Sequence, residues 1–257
     1  MNLRDDIQQR LRTKPILLMT HLVLGYPSLE VNHRVIRQMA DEGVDCIELQ
    51  IPFSEPMADG PVIMKANQDA LRAGIRVEDC FAFAADIVRE FPGVHFLFMT
   101  YYNIIFRYGE EAFIRRSEEA GIRGFIVPDL PPEEGGSYLD LSRRYGTSPV
   151  MFFTPTSTDA RMREVAGRGD GFVYCVARKG VTGHQTAMDA ELSGYLDRCR
   201  QATDLPLAVG FGISSRQDIA MLEGRADMAI IGTATILLVD AQGPDAAGPF
   251  IASLKSS

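Results

Sequence analysis

Two rhythms of hydrophobic and polar positions alternate along the chain. Short apolar runs rich in β-branched and aromatic residues fall near 16–24, 44–50, 94–101, 124–127, 149–153, 171–176, 206–209 and 227–231, and their length and composition predict strands. Between them lie longer amphipathic segments, near 29–42, 61–73 with 77–90, 110–120, 132–145, 158–167, 189–201, 215–223 and 233–239, which read as helices. The order is strand then helix throughout. Such alternation predicts an α/β fold, a closed parallel (β/α)8 barrel of the TIM-barrel class, which typically takes roughly 250 residues as one unit. A further helix over 2–12 is placed to cover the bottom of the barrel, and the loop after the second strand carries an extra helix. An open doubly wound sheet is the alternative. It usually announces its nucleotide site with a GxGxxG turn after the first strand, whereas LVLGYPS at 22–28 holds a single glycine. Proline and glycine are spread rather than pooled in a linker, so residues 1–257 read as one barrel domain.

In such a barrel, functional groups gather at the C-terminal ends of the strands and in the loops that follow. That rule singles out Glu48 near the end of the second strand, Tyr101 and Asn103 after the third, Asp129 after the fourth, Tyr174 at the end of the sixth, and Gly210 and Gly212 after the seventh. Glu48 stands out because VDCIELQI, residues 44–51, is an apolar strand interrupted by Asp45, Glu48 and Gln50. Polar groups inside such a strand must be paired, solvated or used. The turn-rich stretch that follows sets a second carboxylate, Asp59, beyond it, an arrangement suited to acid/base chemistry. The plainer readings are a buried, hydrogen-bonded strand carboxylate for Glu48 and a turn or N-cap residue for Asp59, ahead of a helix beginning near Gly60. Tyr174 reads alternatively as a core aromatic, and Asp129 as a loop-ordering residue.

The last two units suggest an anion site. AVGFGISS at 208–215 runs from strand through a glycine turn into a helix whose first turn includes Ser214 and Ser215, with amides that favour an anion. DMAIIGTAT at 227–235 repeats the layout with Gly232, Thr233 and Ala234 at the turn. Together they match the phosphate site that barrels build after strands 7 and 8. ARKGVTGHQT at 177–186 is glycine-rich, with Gly180 and Gly183 as hinges for a closing loop.

Charge and composition narrow the partners. A net charge of −8 opposes a sequence-independent grip on nucleic acid, and Arg115-Arg116 and Arg143-Arg144 read as solvated helix faces. No apolar run approaches the ~20 residues of a bilayer span, and MNLRDDIQQR is too polar for a signal peptide, so the expectation is a cytoplasmic protein. Cys46, Cys80, Cys175 and Cys199 share no CxxC spacing and read as reduced core thiols. His21, His33, His95 and His184 are scattered, which disfavours a divalent-metal site.

Over nearly its whole length the chain resembles the tryptophan synthase α-subunit family. ELQIPFSEPMADGP at 48–61 is similar to the family's strand 2 and loop 2 signature; MTYYN at 99–103, VPDLPPEE at 127–134, GFVYCVARKGVTG at 171–183 and GFGIS at 210–214 follow in the family's order. The resemblance implies a barrel lyase that splits indole-3-glycerol phosphate into indole and D-glyceraldehyde 3-phosphate. It also implies no cofactor in this subunit, and a β subunit that carries pyridoxal phosphate (PLP) and joins it in an α2β2 complex. Carried over by position, Glu48 and Asp59 match the catalytic carboxylates, Tyr174 an active-site tyrosine, Thr182 and Gly183 the closing loop, and Gly212, Gly232 and Thr233 the phosphate turns. Gly210 and Phe211 complete the seventh-strand turn, and Phe53, Tyr101, Phe152 and Tyr174 are expected to wall the indole ring. In this scheme Glu48 shuttles a proton between indole C3 and the glycerol hydroxyl while Asp59 attends the indole nitrogen.

The chain departs from the family pattern at several positions. Tyr26 stands in LGYP where many members have aspartate; Gln50 replaces a glycine, Glu55 an aspartate and Thr233 a serine. His21 and Leu22 sit where an aromatic or other apolar side chain often lines the indole pocket. Gln50 and Glu55 lie in or beside the loop that the family uses to signal to the β subunit, which motivates two alternatives: a self-sufficient lyase, or a weakly catalytic subunit that mainly binds and activates a β-type partner. A Schiff-base aldolase built on Lys179 is the rival chemistry, and the mobile-looking, glycine-flanked loop around that lysine argues against it.

Overall fold

The structure is a computed structural model that describes residues 2–177, 185–210 and 212–255. Among these, eight parallel strands close into a barrel in sequence order: β1 (Leu17–Val23), β2 (Cys46–Gln50), β3 (His95–Met99), β4 (Gly124–Ile126), β5 (Ser148–Phe153), β6 (Val173–Val176), β7 (Leu207–Gly210) and β8 (Met228–Ile231). The barrel shuts where β1 pairs with β8, Leu17 opposite Met228. The helices, in chain order, are α1 (Leu3–Arg10), α2 (Leu29–Asp41), α3 (Pro61–Arg72), α4 (Val77–Glu90), α5 (Tyr102–Tyr108), α6 (Glu110–Glu119), α7 (Gly136–Arg144), α8 (Asp159–Ala166), α9 (Gln185–Ala202), α10 (Arg216–Leu222), α11 (Thr233–Gln242) and α12 (Ala247–Leu254).

Closure by helices outside and side chains inside leaves β1 and β2 buried along their whole length, which is why parallel barrel strands read as continuous apolar runs. The pleat then sorts residues by parity. Leu18 and Leu22 of β1 and Ile47 and Leu49 of β2 face out and share a core with Val35, Ile36 and Met39 of α2. Leu17 and Met19 face in and pack with Cys46, Leu97, Phe172, Ala208 and Met228. Leu3 and Ile7 of α1 join that inner cluster, so the first helix stoppers the N-terminal end of the barrel. It begins where the Asn2 side chain accepts a hydrogen bond from the Asp5 amide at 2.8 Å.

Asp45 anchors the stoppered end. Its carboxylate accepts from the Leu18 amide at 3.1 Å and from Lys14 at 2.6 Å, with Arg10 at 3.4 Å. The turn after β1 has its own tie: buried Asn32 accepts from the Gly25 amide at 2.8 Å and donates to the carbonyls of Val23 and Tyr26.

Every expected strand is present, and the helices differ in detail. α7 starts at Gly136 rather than 132, because Pro131 and Pro132 stay in the loop, and α9 starts at Gln185 rather than 189. Two helices go beyond the sequence reading. α5 follows β3 at once through Tyr102–Tyr108, where YNIIFRY carries the aromatic and β-branched residues of a strand. α12 tolerates Pro249 because a proline in the first turn gives up no intrahelical bond, and it buries Ile251 and Leu254. Replacing Asp45 with alanine strips the buried Leu18 amide of its side-chain acceptor and Lys14 of its partner. The expected cost is about 1–3 kcal/mol of unfolding free energy, read from urea denaturation; an unchanged midpoint would show that α1 and its neighbours do not depend on this carboxylate.

Candidate active site

The parity that fills the lower barrel with apolar side chains turns polar at its C-terminal mouth. A cavity of about 390 Å³ opens there, lined by inward residues of successive strands: His21, Glu48, Met99, Ile126, Phe152, Tyr174, Gly210 and Ile230. Val176 at the end of β6, the loop residues Ala58, Asp59, Thr154, Gly212 and Gly232, and Ile63 and Thr233 from the first turns of α3 and α11 complete it. Glu48, Asp59, Phe152, Tyr174, Gly210, Gly212, Gly232 and Thr233 thus share one cavity. Thr182, Gly183 and Phe211 lie outside the described residues, as does Lys179.

Gly210 is small for a reason visible in the geometry. A Cβ there would come within 3.3 Å of the Tyr174 hydroxyl and 3.6 Å of Ile230 Cβ. The Tyr174 ring, tilted at 34° to Phe152 with centroids 5.4 Å apart, fills the space that the glycine leaves. Burial, reinforced by the charges of Glu48 and Asp59, pushes the Tyr174 phenol well above its ordinary value, so it stays a neutral hydroxyl.

Glu48 is 4% exposed, and its partner comes from the neighbouring strand. His21 stands opposite it in the β1–β2 register, with Nδ1 3.1 Å from Oε1 of Glu48. The other oxygen, Oε2, is buried with no hydrogen-bond partner among the described residues. Burial opposes charge on the His21 ring, but the charge and contact of Glu48, helped by Asp59 and the Gln50 side chain, win and raise its pKa above 6.5. A histidine whose folded value is raised stabilises the fold fully below its unfolded value and loses that contribution as pH climbs through the raised one.

Asp59 is moored rather than free. Its Oδ2 accepts from Gln50 Nε2 at 2.7 Å and from the Tyr101 hydroxyl at 3.0 Å, and that hydroxyl accepts from the Ala58 amide at 3.1 Å. Burial raises the Asp59 pKa; these hydrogen bonds and the nearby His21 oppose the shift, and the Glu48 charge adds to it. The capping role open to Asp59 in the sequence falls instead to the backbone of Gly60, which caps α3 without a side chain and is followed by Pro61 in the first turn. Phe53 and Tyr101 do not line the cavity. They stack at 5.1 Å behind Asp59, and the Tyr101 ring is fully buried. Asp129 orders a loop, accepting from the Tyr102 amide at 2.9 Å.

At the anion end the two glycine turns differ. Ser214 and Ser215 precede α10 rather than form its first turn, and both amides are taken: Oδ2 of Asp218 accepts from them at 2.9 and 3.0 Å. The Ser215 hydroxyl in turn accepts from the Asp218 amide, closing a capping box. The expectation that these serine amides receive an anion is therefore corrected, because a carboxylate of the chain already occupies them. Gly212, in the left-handed region at φ +83°, carries the turn past them into the cavity wall. α11 has no such internal cap. Gly232 offers no side chain to cap the helix; the Thr235 amide donates to the Gly232 carbonyl at 3.1 Å, and Gly232 and Thr233, where the helix opens, line the cavity.

His21 and Gln50 escaped the sequence-based selection of site residues, although both had been noticed as departures from a family pattern. The signal for them is parity: counting by twos from Glu48 reaches Gln50, and the strand register supplies His21. All four cysteines are free and buried. Among the described residues no three His, Cys, Asp or Glu side chains converge as a metal site requires, and no helix is long and apolar enough to cross a membrane.

Fold and cavity define a (β/α)8-barrel enzyme with its polar chemistry at the C-terminal mouth. A family model described as tryptophan synthase alpha chain matches residues 7–248. The tryptophan synthase alpha chain of Desulfotalea psychrophila is 56% identical over 255 residues, covering 99% of this chain and all of the relative. Among solved structures, tryptophan synthase from M. tuberculosis in an open form with BRD0059 bound superposes with a TM-score of 0.89 at 29% identity, covering 98% of this chain and 96% of that one. A tryptophan synthase complex from Pyrococcus furiosus gives 0.84 at 27% identity, covering 93% and 97%. The chain belongs to the tryptophan synthase alpha chain family, lyases that catalyse the α reaction.

Removing the Tyr101 hydroxyl tests the mooring of Asp59. In Tyr101→Phe the carboxyl loses a donor that favours its ionised form, so its pKa, followed by carboxyl-carbon NMR, is expected to rise further. An unmoved titration would show that the hydroxyl does not act on Asp59.

Proposed function

We propose that the mouth cavity performs a retro-aldol cleavage of indole-3-glycerol phosphate, with Glu48 and Asp59 as the catalytic groups. The observation that carries this reading is the convergence of two carboxylates, buried Glu48 and half-buried Asp59, in one cavity that also holds the opening of α11, a helix without a side-chain cap. Cleavage of the bond from indole C3 to the glycerol chain needs the ring protonated at C3 first, so that it leaves as a neutral indole. Glu48 donates that proton. Positive charge then gathers on the indole nitrogen, where the Asp59 carboxylate stabilises it, or accepts the N–H proton and returns it to nitrogen as the bond breaks. As the bond breaks, its electron pair returns to the ring, the glycerol carbon becomes the aldehyde, and the hydroxyl proton passes to Glu48, restoring the acid for the next cycle. Burial lifts the Asp59 carboxyl above its ordinary value, which makes it a stronger base toward the N–H proton.

Phe152, Tyr174, Met99, Ile126 and Ile230 offer the apolar wall for the indole ring. Gly212, Gly232 and Thr233, with the first amides of α11, are proposed to receive the phosphate. Tyr101 supports Asp59 from behind rather than touching substrate. Thr182, Gly183 and Phe211 remain proposed substrate contacts on the strength of the family motifs. The reaction as drawn draws on side chains alone and asks for no cofactor in this chain.

A β subunit carrying PLP is the proposed acceptor of indole, in an α2β2 assembly within the cytoplasm, with residues 1–257 forming one barrel domain. The loop that bears Asp59 supports such a partner. Met57, two residues away, is 82% exposed, an apolar side chain at the rim of the mouth. Glu48→Gln is expected to keep shape and ligand binding while lowering kcat by about 10²–10⁴ fold. Calorimetric binding of substrate and release of indole, measured with and without β subunit, check both halves. Wild-type turnover in this variant would falsify the assignment of Glu48, and no indole release by the wild-type chain in either state would overturn the lyase reading.

A further inference from the structure

The proposed reaction scheme leaves one polar side chain of the cavity without a task. His21 is buried, stands opposite Glu48 in the strand register and places Nδ1 3.1 Å from its Oε1. Its other ring nitrogen, Nε2, is buried with no hydrogen-bond partner among the described residues, and so is Oε2 of Glu48. An apolar ring would fill the same volume without leaving a polar atom unpaired, so the imidazole is costly unless it works.

We propose that His21 is a positioning residue of the lyase reaction, holding the Glu48 carboxyl through Nδ1 and sharing with it one exchangeable proton. The inference rests on the reading of Glu48 as the acid that protonates indole C3. One proton leaves the pair for C3, and one returns to it from the glycerol hydroxyl, so the count is restored each cycle. Among the described residues, the remaining ionisable groups on the cavity wall are Asp59, from the loop after β2, and Tyr174, from β6; Gln50 lies beside them, and Ile230 of β8 and Gly232 after it carry no charge. The two carboxylates both favour a protonated ring, Glu48 more than Asp59, and Tyr174 stays neutral. Burial opposes charge on the ring, but the contact with Glu48 prevails, so the imidazolium that holds the carboxyl persists to higher pH than an unpaired histidine would.

The test compares wild type with His21→Phe, which keeps a flat ring, and His21→Asn, whose amide imitates Nδ1–H without titrating. Indole release from indole-3-glycerol phosphate by the full chain, with β subunit present, is followed against pH. His21→Phe is expected to lower kcat about tenfold with KM little changed, and to move the alkaline limb of kcat/KM down by about one pH unit or more. His21→Asn should recover much of kcat at low pH but keep the displaced limb. Unchanged limbs in both variants, or a change in KM alone, overturn the proposal and leave His21 a wall residue. An activity-free readout separates this from the reading of Glu48: the His21 ring, followed by NMR in wild type, should titrate above 6.5 and fall when Glu48 becomes glutamine. A ring that titrates at or below the ordinary value, or that ignores the Glu48→Gln change, sinks the inference even if the lyase activity stands. Loss of activity in Glu48→Gln with wild-type behaviour in the His21 variants sinks the inference alone.

Discussion

A carboxylate on the inward face of a closed parallel barrel has little water around it and no backbone donors to meet it, since those are spent on the strand ladders. Its neighbours must therefore come from the inward positions of adjacent strands. At the mouth of this barrel that constraint links Glu48 to His21 across the β1–β2 ladder, and Gln50 to Asp59 across the following turn. The polar residues in and beside β2 are handled in three ways. Asp45, just ahead of the strand, is paired with basic side chains and an amide at the stoppered end; Gln50 spends its amide nitrogen on mooring Asp59; Glu48 sets one oxygen against His21 and lines the cavity. Of the three, Glu48 alone is a carboxylate on the cavity wall.

The barrel was legible because its strands are buried on both faces and its helices on one, so that two different periods alternate along the chain. α5 was not, because YNIIFRY uses strand-favouring residues for a helix that tertiary packing holds against the ends of β3 and β4. Both catalytic candidates were visible as polar interruptions at a strand end. What surrounds them was not, since it depends on which residues of neighbouring strands lie level with each other. No local pattern says that position 21 meets position 48, or that the Tyr101 hydroxyl lies behind Asp59 rather than against a substrate ring.

The serines of GFGISS show the opposite error. Small hydroxyl residues ahead of a helix carry the same signature whether they cap the helix or receive a ligand, and here Asp218, three residues into the motif's helix, claims both amides. A carboxylate so placed also repels a second anion at that spot. α11 has no carboxylate capping its first turn, so the two consecutive glycine turns are unequal, and the proposed phosphate site rests on the second.

The mooring of Asp59 has a stereochemical outcome. Gln50 and Tyr101 both donate to Oδ2, and the Tyr101 hydroxyl, with a single hydrogen, has spent it there. The lone pairs of that oxygen are engaged, so an incoming hydrogen ion finds basicity only at Oδ1. If the cavity cleaves indole-3-glycerol phosphate as proposed, the aspartate is a one-sided acceptor, and an indole nitrogen would meet it from one direction, which would fix the face of the ring presented to Glu48.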